Sequence, residues 1–548
     1  MMNKIKGSQL LMKNLEQYGV DTIFGLIGAH TMELFDALYD FQDSIRLITT
    51  RDERSAALMA DGYGRVSHKP GVCLTSTGPG AANALSGLGE AYFSFSPVIH
   101  ITSTAEENLY GRALGANHET VDQLGMLRTV SRQAFHLSTP ADIPGVIREA
   151  FYNLAINRPQ PISIEIPADV QGETLYSQDD KIKEFEKPEL NHTAIELASK
   201  LILNGKRVGI WAGTGVDRAD ASLELIHLSS LMNIPVFTTP GGKAGFPSDH
   251  HLNVGVLGGP GGLTNGDYPL REFVSSLDTV IVIGSSLRYT STIAQKIELP
   301  ENLIHVDIDS EPMGKNYETK VKIVGDAKLV LRQMALELEG KSPSLETGYA
   351  DEIKAVKSRI SKYISSNYAN PLKTMKSIRE VVGRSAIFTG DASISATRGA
   401  NVCLEVFEPR TYLPPVWGGL GFAFPASMGA KVAMPDRTVV CITGDGGFQF
   451  NVQELGTCFQ YGINPIVLVF NDNSWGSTKL RQQVNFDGRY IGTELKNPDF
   501  VKVAKAFNVN GLYANSLPEL CKALEEVSES KQASVIEVST PKGFDSFC

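Results

Sequence analysis

Short runs of β-branched and aliphatic residues alternate along the chain with longer stretches of helical period. The runs are VCLTST, PVIHIT and ISIEIP in the first third, then VGIWAG, PVFTT, TVIVIG and LIHVDI in the middle. AIFTG, TVVCITG, PIVLVF and ASVIEV follow in the last third. Most of these runs are apolar throughout rather than at every second position, as strands covered on both faces are. Strands of that kind separated by helices predict parallel sheets in doubly wound α/β domains. The opening stretch, MMNKIKGSQLLMKNLEQYGV, reads as an amphipathic helix entering the first of them. Two polar stretches break the alternation, at 176–191 and at 339–371, the second with a helix inside it. They predict three domains, at 1–178, 190–340 (Rossmann-like) and 365–548.

Composition supports this division and excludes several functions. A chain of 548 residues, 42% hydrophobic and 20% charged, has enough apolar side chain for three cores. Its formal net charge of −10 argues against a broad nucleic-acid surface, which needs clustered Lys and Arg. No apolar run approaches the roughly 20 residues that span a bilayer, and the N-terminus lacks the apolar block of a signal sequence. Six cysteines without C-x-x-C spacing are expected to be free thiols in a reducing compartment. The expectation is a cytoplasmic protein with neither a membrane nor a nucleic-acid partner.

The chemistry concentrates in one stretch, GDGGFQFNVQELGTCFQYGINPIVLVFNDNSWG, from Gly444 to Gly476. A buried strand ends in Gly444-Asp445-Gly446-Gly447, a helical segment follows, and the next strand ends at Asp472. A βαβ unit brings the carboxyl ends of its two strands side by side, at the edge where α/β sheets bind ligands. Asp445 and Asp472 therefore meet there, and the glycines let backbone approach a phosphate. Two carboxylates and a loop carbonyl suit a hard cation such as Mg²⁺. Gly-Asp-Gly alone reads equally as a strand end with an acidic helix cap.

The whole stretch resembles the cation and diphosphate motif of thiamine-diphosphate enzymes. On that resemblance the metal ligands are Asp445, Asp472 and the backbone carbonyl of Ser474, with Asp472 standing where Asn is usual. Gly444, Gly446, Gly447, Trp475 and Gly476 belong to the same cofactor motif. The segment RDERSAALMADGYGRVSHKPGVCLTSTGPGAAN is similar to acetolactate synthases and places Glu53 on the catalytic glutamate, with Gly78 and Asn83 beside the cofactor. The family requires that carboxyl against the aminopyrimidine ring, because the thiazolium carbon is a very weak acid that must be activated. Asp52 and Arg54 replace the familiar His and Gln around it. VWGGLGFAFPASMGA supplies Gly418 and the wedge residue Leu420, and FTGDASISATRG the diphosphate loop through Ala392 or Ser393.

The resemblance covers practically the whole chain and implies a pyrimidine-binding, a central and a diphosphate-binding domain. It implies that first and third domains of different subunits enclose each cofactor. A homodimer is then the minimum, and a homotetramer the expected form. The implied reaction makes or breaks a C–C bond in 2-oxo acids or 2-hydroxy ketones, with thiamine diphosphate and Mg²⁺. FAD occurs in acetolactate synthases, but the central glycines here do not imply it.

The substrate pocket departs from acetolactate synthases. FGLIGAH puts His30 where they have Gly, as benzaldehyde lyase does, and NDNSWGSTKLRQQ also looks closer to that lyase. Arg481 replaces a pocket Trp, Ala168 a Lys, and Glu119 a Gln, with His118 next to it. His30 is the expected proton-transfer group, while His118 and Glu119 are further candidates. Arg481 reads either as a carboxylate holder or as an exposed surface arginine. Two alternatives use the same scaffold: cyclohexanedione hydrolase-like or 2-hydroxyacyl-CoA lyase chemistry, and a fold that retains binding but has lost catalysis. Joint retention of Glu53, Asp445 and Asp472 argues against the last.

Overall fold

In a computed structural model, residues 3–177, 185–259, 263, 266–292 and 295–547 are described. Of the polar stretch at 176–191, residues 178–184 lie outside them, as does Cys548. The other five cysteines are free.

Twenty strands form three six-stranded sheets and one two-stranded ribbon among the described residues. In the first sheet run β2 (Thr22–Gly25), β3 (Arg46–Thr49), β4 (Gly71–Thr75), β5 (Val98–Thr104), β6 (Gln133–His136) and β7 (Ile162–Pro167), in the spatial order β3-β2-β4-β5-β7-β6. The ribbon pairs β1 (Asn3–Lys6) antiparallel with β8 (Thr174–Ser177). The N-terminus therefore opens on a strand, and the helix Gly7–Gln17 starts only after it. Pairing with β8 supplies backbone partners that the first helical turn would not, and joins the two ends of the domain.

The central sheet holds β9 (Val208–Ala212), β10 (Val236–Thr238), β11 (Asn253–Val256), β12 (Thr279–Ile283), β13 (Asn302–Asp307) and β14 (Val321–Val324). Its order is β11-β10-β9-β12-β13-β14, the Rossmann arrangement. The third sheet holds β15 (Ile387–Gly390), β16 (Tyr412–Leu413), β17 (Val439–Gly444), β18 (Ile466–Asn471), β19 (Asn510–Ala514) and β20 (Ser534–Ser539). Its order, β16-β15-β17-β18-β20-β19, repeats that of the first sheet. All pairings in the three large sheets are parallel.

Central strands such as β4, β5, β7, β12 and β18 are buried at every residue, as sheets covered by helices on both faces require. The expected helix in the second polar stretch is Tyr349–Asn367, buried along Tyr349, Ile353, Val356 and Ile360. First and third domains share one apolar core, to which Ala56, Met59 and Tyr63 contribute from one side and Phe424, Met428 and Phe448 from the other. Arg65 pins the contact: it pairs with Asp61 at 2.7 Å and donates to the Pro414 carbonyl at 2.8 Å. This packing fixes which strand ends remain open for chemistry.

Candidate active site

The third domain builds a cleft at the carboxyl ends of β15, β17 and β18. Asp391 follows β15, Asp445 ends the Gly444 turn after β17, and Asp472 follows β18. Ala392, Ser393, Leu420, Gly444, Gly446, Gly447, Ser474, Trp475 and Gly476 line the cleft with them. Asp445 and Asp472 thus meet at one edge, as their βαβ spacing predicts. Asp445 is 2% exposed, and the Asn497 amide donates to its Oδ2 at 2.6 Å. Burial pushes its carboxyl up to about 6 despite that bond, and the charge of Asp472 adds to the rise. Burial also raises Asp472, whose Oδ1 accepts the Ser474 amide at 3.0 Å and the Ser474 hydroxyl at 2.9 Å. Two desolvated carboxylates held together are a site whose charged form a cation would stabilise.

Two residues of this cleft were not picked out from the sequence. Asp391 is 1% exposed and accepts from Ala392 N at 2.7 Å, Gly421 N at 3.1 Å and the Thr443 hydroxyl at 3.0 Å. It ties the loop of Ala392 and Ser393, the loop of Leu420 and the strand before Asp445 to one carboxyl. Burial raises that carboxyl to about 6. Its signal was present as a repeat: FTGD ends β15 as ITGD ends β17. Asn497 also donates to Asn471 Oδ1 at 2.9 Å, bracing the two strand ends against each other. No local pattern marks it, because it arrives from a later loop. Gly446 is required by packing, since a Cβ there would lie 2.3 Å from the Trp475 ring.

A second cluster forms on the first domain. Glu53 is the first residue of the helix Glu53–Ser67, whose N-cap Asp52 accepts from Arg54 N. Its half-buried carboxylate accepts from Asn83 Nδ2 at 3.0 Å. Gly78 takes φ +59°, and a Cβ there would sit 2.2 Å from the His118 carbonyl. Its N–H donates to Gln123 Oε1 at 2.7 Å. Gln123 is 4% exposed and is anchored in turn on Glu165 at 3.0 Å, a brace that the sequence did not announce. His30 and His118 face each other with ring centroids 5.7 Å apart. His30 Nδ1 is buried without a hydrogen-bond partner among the described residues. Glu119 is turned into its own loop, where its carboxylate accepts from the amides of Leu114, Gly115 and Ala116.

Among the described residues, no first-domain residue lines the third-domain cleft. Gly418 is likewise outside it, its N–H donating to Glu90 Oε2 at 3.1 Å. Ala168 begins the short helix after β7. Arg481 is exposed on the helix Gly476–Asn485.

At the central sheet's strand ends, a cavity of about 140 Å³ is lined by Arg158, Gly215, Arg218, Gly284 and Asp307 among others. Arg158 and Asp307 close on each other at 2.9 Å. Cofactor pockets run from ~300 Å³ upward. As these side chains stand, this cavity is smaller than a flavin dinucleotide.

Three family models match the chain in sequence order. Residues 5–126 match the N-terminal TPP binding domain of thiamine pyrophosphate enzymes, 195–334 their central domain, and 391–538 their C-terminal TPP binding domain. Among curated proteins, the chain is 34% identical over 559 residues to a probable acetolactate synthase large subunit of Methanocaldococcus jannaschii, covering 97% of this chain and 92% of that one. It is 33% identical over 552 residues to a probable acetolactate synthase large subunit of Methanococcus aeolicus, covering 95% and 90%. It is 30% identical over 549 residues to the acetolactate synthase large subunit of Haemophilus influenzae, covering 97% and 93%.

Proposed function

The chain belongs to the thiamine pyrophosphate enzyme family, and from that premise we propose that it makes or breaks the C–C bond next to a carbonyl in 2-oxo acids or 2-hydroxy ketones, with acetolactate synthase-like carboligation as its leading activity. The observation that carries this reading is the cleft of buried acids at three neighbouring strand ends. Asp445 and Asp472, both raised by burial, fit a cation that would neutralise them and bridge a diphosphate.

Bound thiamine diphosphate supplies a nucleophilic carbon that stores the electrons of the cleaved bond. The chain's own groups bind and orient. Asp445, Asp472 and the Ser474 carbonyl would hold Mg²⁺, and Ala392 and Ser393, which line the same cleft, would contact the diphosphate. Leu420 supplies the apolar wedge, held in place because Asp391 grips the next residue's amide. Glu53, whose Oε2 is fixed by Asn83, would offer its carboxylate to the cofactor's ring nitrogen. His30, with its unpartnered Nδ1, is placed to move a proton at the substrate oxygen. His118 lies beside it, and Glu119 supports the loop that carries His118.

As no first-domain residue lines the third-domain cleft among the described residues, the same proposal has a second copy completing each site. Each cluster is rimmed by exposed apolar side chains, which supports this reading. Ile27, Met32, Leu114 and Val121 belong to the first rim; Val484, Phe486 and Ile491 belong to the second. Val121 is 95% and Ile491 83% exposed, as side chains awaiting a partner surface would be. A two-fold dimer would bring first-domain rim to third-domain rim twice; a tetramer would pair two such dimers. The domain divisions at 178–190 and 340–365 and the cytoplasmic setting are part of the same proposal. No helix among the described residues is long and apolar enough to cross a membrane.

The test is turnover of pyruvate, benzoylformate, benzoin and acetoin with and without thiamine diphosphate and Mg²⁺. Product formation that requires both additives is expected. Failure on every substrate with both present would remove the proposal.

A further inference from the structure

The cleft of the third domain is lined by acids, and Lys479, whose charge acts on Asp472, is itself paired with Glu494. Asp391, Asp445 and Asp472 are those acids, while the residual negative charge of a magnesium diphosphate would be offset by the thiazolium of the same cofactor. An incoming 2-oxo acid is itself an anion, so a cation facing its carboxylate would attract and orient it. On the first-domain side Glu53 and Glu119 stand with two histidines, and Arg54 is turned to the Phe450 carbonyl at 3.2 Å. Resting on the function proposed above, we propose that Arg481 is the specificity-determining residue that receives the substrate carboxylate.

Three observations place it. Ser477 and Thr478, in the first turn of the helix Gly476–Asn485, line the cleft. Arg481 follows them at i+4 and i+3, so it lies on the same helical face one turn further out. Side chains on a helix lean toward its N-terminus, which here is the cleft end, so the arginine stem leans back toward Ser477 and Thr478. Second, its guanidinium is uncommitted. Lys479 on the same helix is paired with Glu494 at 2.7 Å, whereas Arg481 is exposed and has no hydrogen-bond or ion-pair partner among the described residues. Third, a guanidinium has the right chemistry, because it binds a carboxylate through two parallel N–H···O bonds that orient it as well as attract it. Leu480, 38% exposed beside it, offers an apolar surface to the alkyl part of the same substrate.

Arg481→Gln and Arg481→Lys, assayed as holoenzymes with pyruvate and with uncharged acetoin, test the assignment. Arg481 is exposed, so both variants are expected to fold. Arg481→Gln should lower the ratio of kcat/KM for pyruvate over acetoin by about ten-fold or more, the effect of one charge-assisted hydrogen bond. Arg481→Lys should recover part of the loss, and the KM for thiamine diphosphate should stay put. Raising ionic strength should raise the pyruvate KM of the wild type but leave that of Arg481→Gln flat. The salt response decides the matter even when acetoin is not turned over. An unchanged ratio or an unchanged salt response in Arg481→Gln overturns the assignment. So does a wild type that consumes acetoin and ignores 2-oxo acids, and in that case the functional reading survives. A wild type that consumes neither class overturns the functional reading and this inference with it.

Discussion

The first and third sheets share a strand order, yet corresponding strand ends carry opposite chemistry. In the third domain β15, β17 and β18 end at Asp391, Asp445 and Asp472, three buried acids. In the first domain the equivalent strands β2, β4 and β5 lead to His30, to Ser76-Thr77-Gly78 and to Ala105, none of them acidic. The first domain's acid, Glu53, instead comes from the strand one place over, where the third domain has the loop of Leu420. One topology therefore serves two kinds of binding. Strand-end acids in a desolvated cleft suit a cation and its phosphates, whereas neutral turns with one half-buried carboxylate suit a heterocyclic ring and a substrate. The fold offers the same edge twice, and the residues at the edge decide what it binds.

If this division holds, lesions on the two sides differ in kind. Asp445→Ala has the largest expected effect: Mg²⁺-dependent binding of thiamine diphosphate should vanish, because the bridging cation is lost. Calorimetry that finds unchanged affinity would refute the metal assignment. Glu53→Gln should still bind the cofactor but lose proton exchange at its thiazolium carbon and activity, by roughly 10²–10⁴-fold. Wild-type exchange by NMR would clear Glu53 of that role. Mixing the two inactive chains sharpens the comparison further. If each site takes its halves from two chains, re-assorted dimers should regain up to about a quarter of wild-type activity. No recovery after verified exchange would place both halves on one chain.

His30→Ala is expected to cost about 10²-fold in C–C cleavage or ligation while cofactor binding survives. Full activity in that variant would leave the unpartnered Nδ1 without a role in proton transfer.

The smallest effect concerns stability, and its sign differs between the two domains. Asp391 is held up at about 6 in the folded chain against an ordinary 3.8, so the native state binds the extra proton between those values. Stability of the cofactor-free chain from this group falls as pH rises from about 4 to 6, by about 3 kcal/mol in total. His100 in the first sheet runs the other way. Buried between Thr75 and Ser163, it is depressed to about 3 from 6.5. Its contribution is full above 6.5 and is lost as pH falls toward 3, by about 2 kcal/mol at pH 5. Denaturation of Asp391→Asn and His100→Gln across pH 4–7 should flatten the two slopes separately. An unchanged profile in either variant would show that its group does not titrate as its burial implies.

The chain announced its own interior. Every strand read from an apolar run, from VCLTST to ASVIEV, lies inside a sheet, where both faces are covered and the pattern has to be continuous. Outside those runs lie the edges, β3, β6, β11, β14, β16 and β19, together with the ribbon β1–β8 and one inner strand, the four-residue β2. β3, β6 and β19 are only partly buried, β11 and β14 alternate, and β16 has two residues. An edge strand has one neighbour and one open side, so its residues face mixed surroundings and leave no apolar signature. The candidate site divides the same way. Asp445 and Asp472 were legible because strand, turn and acid lie next to one another in the chain, whereas Glu53 came from the resemblance alone. Asn497 bracing Asp445, Gln123 bracing Gly78 and Asp391 gathering three loops were decided only by the fold. Each acts across a sequence gap that a local pattern does not span, and each is specified by burial, which needs every surrounding element already in place.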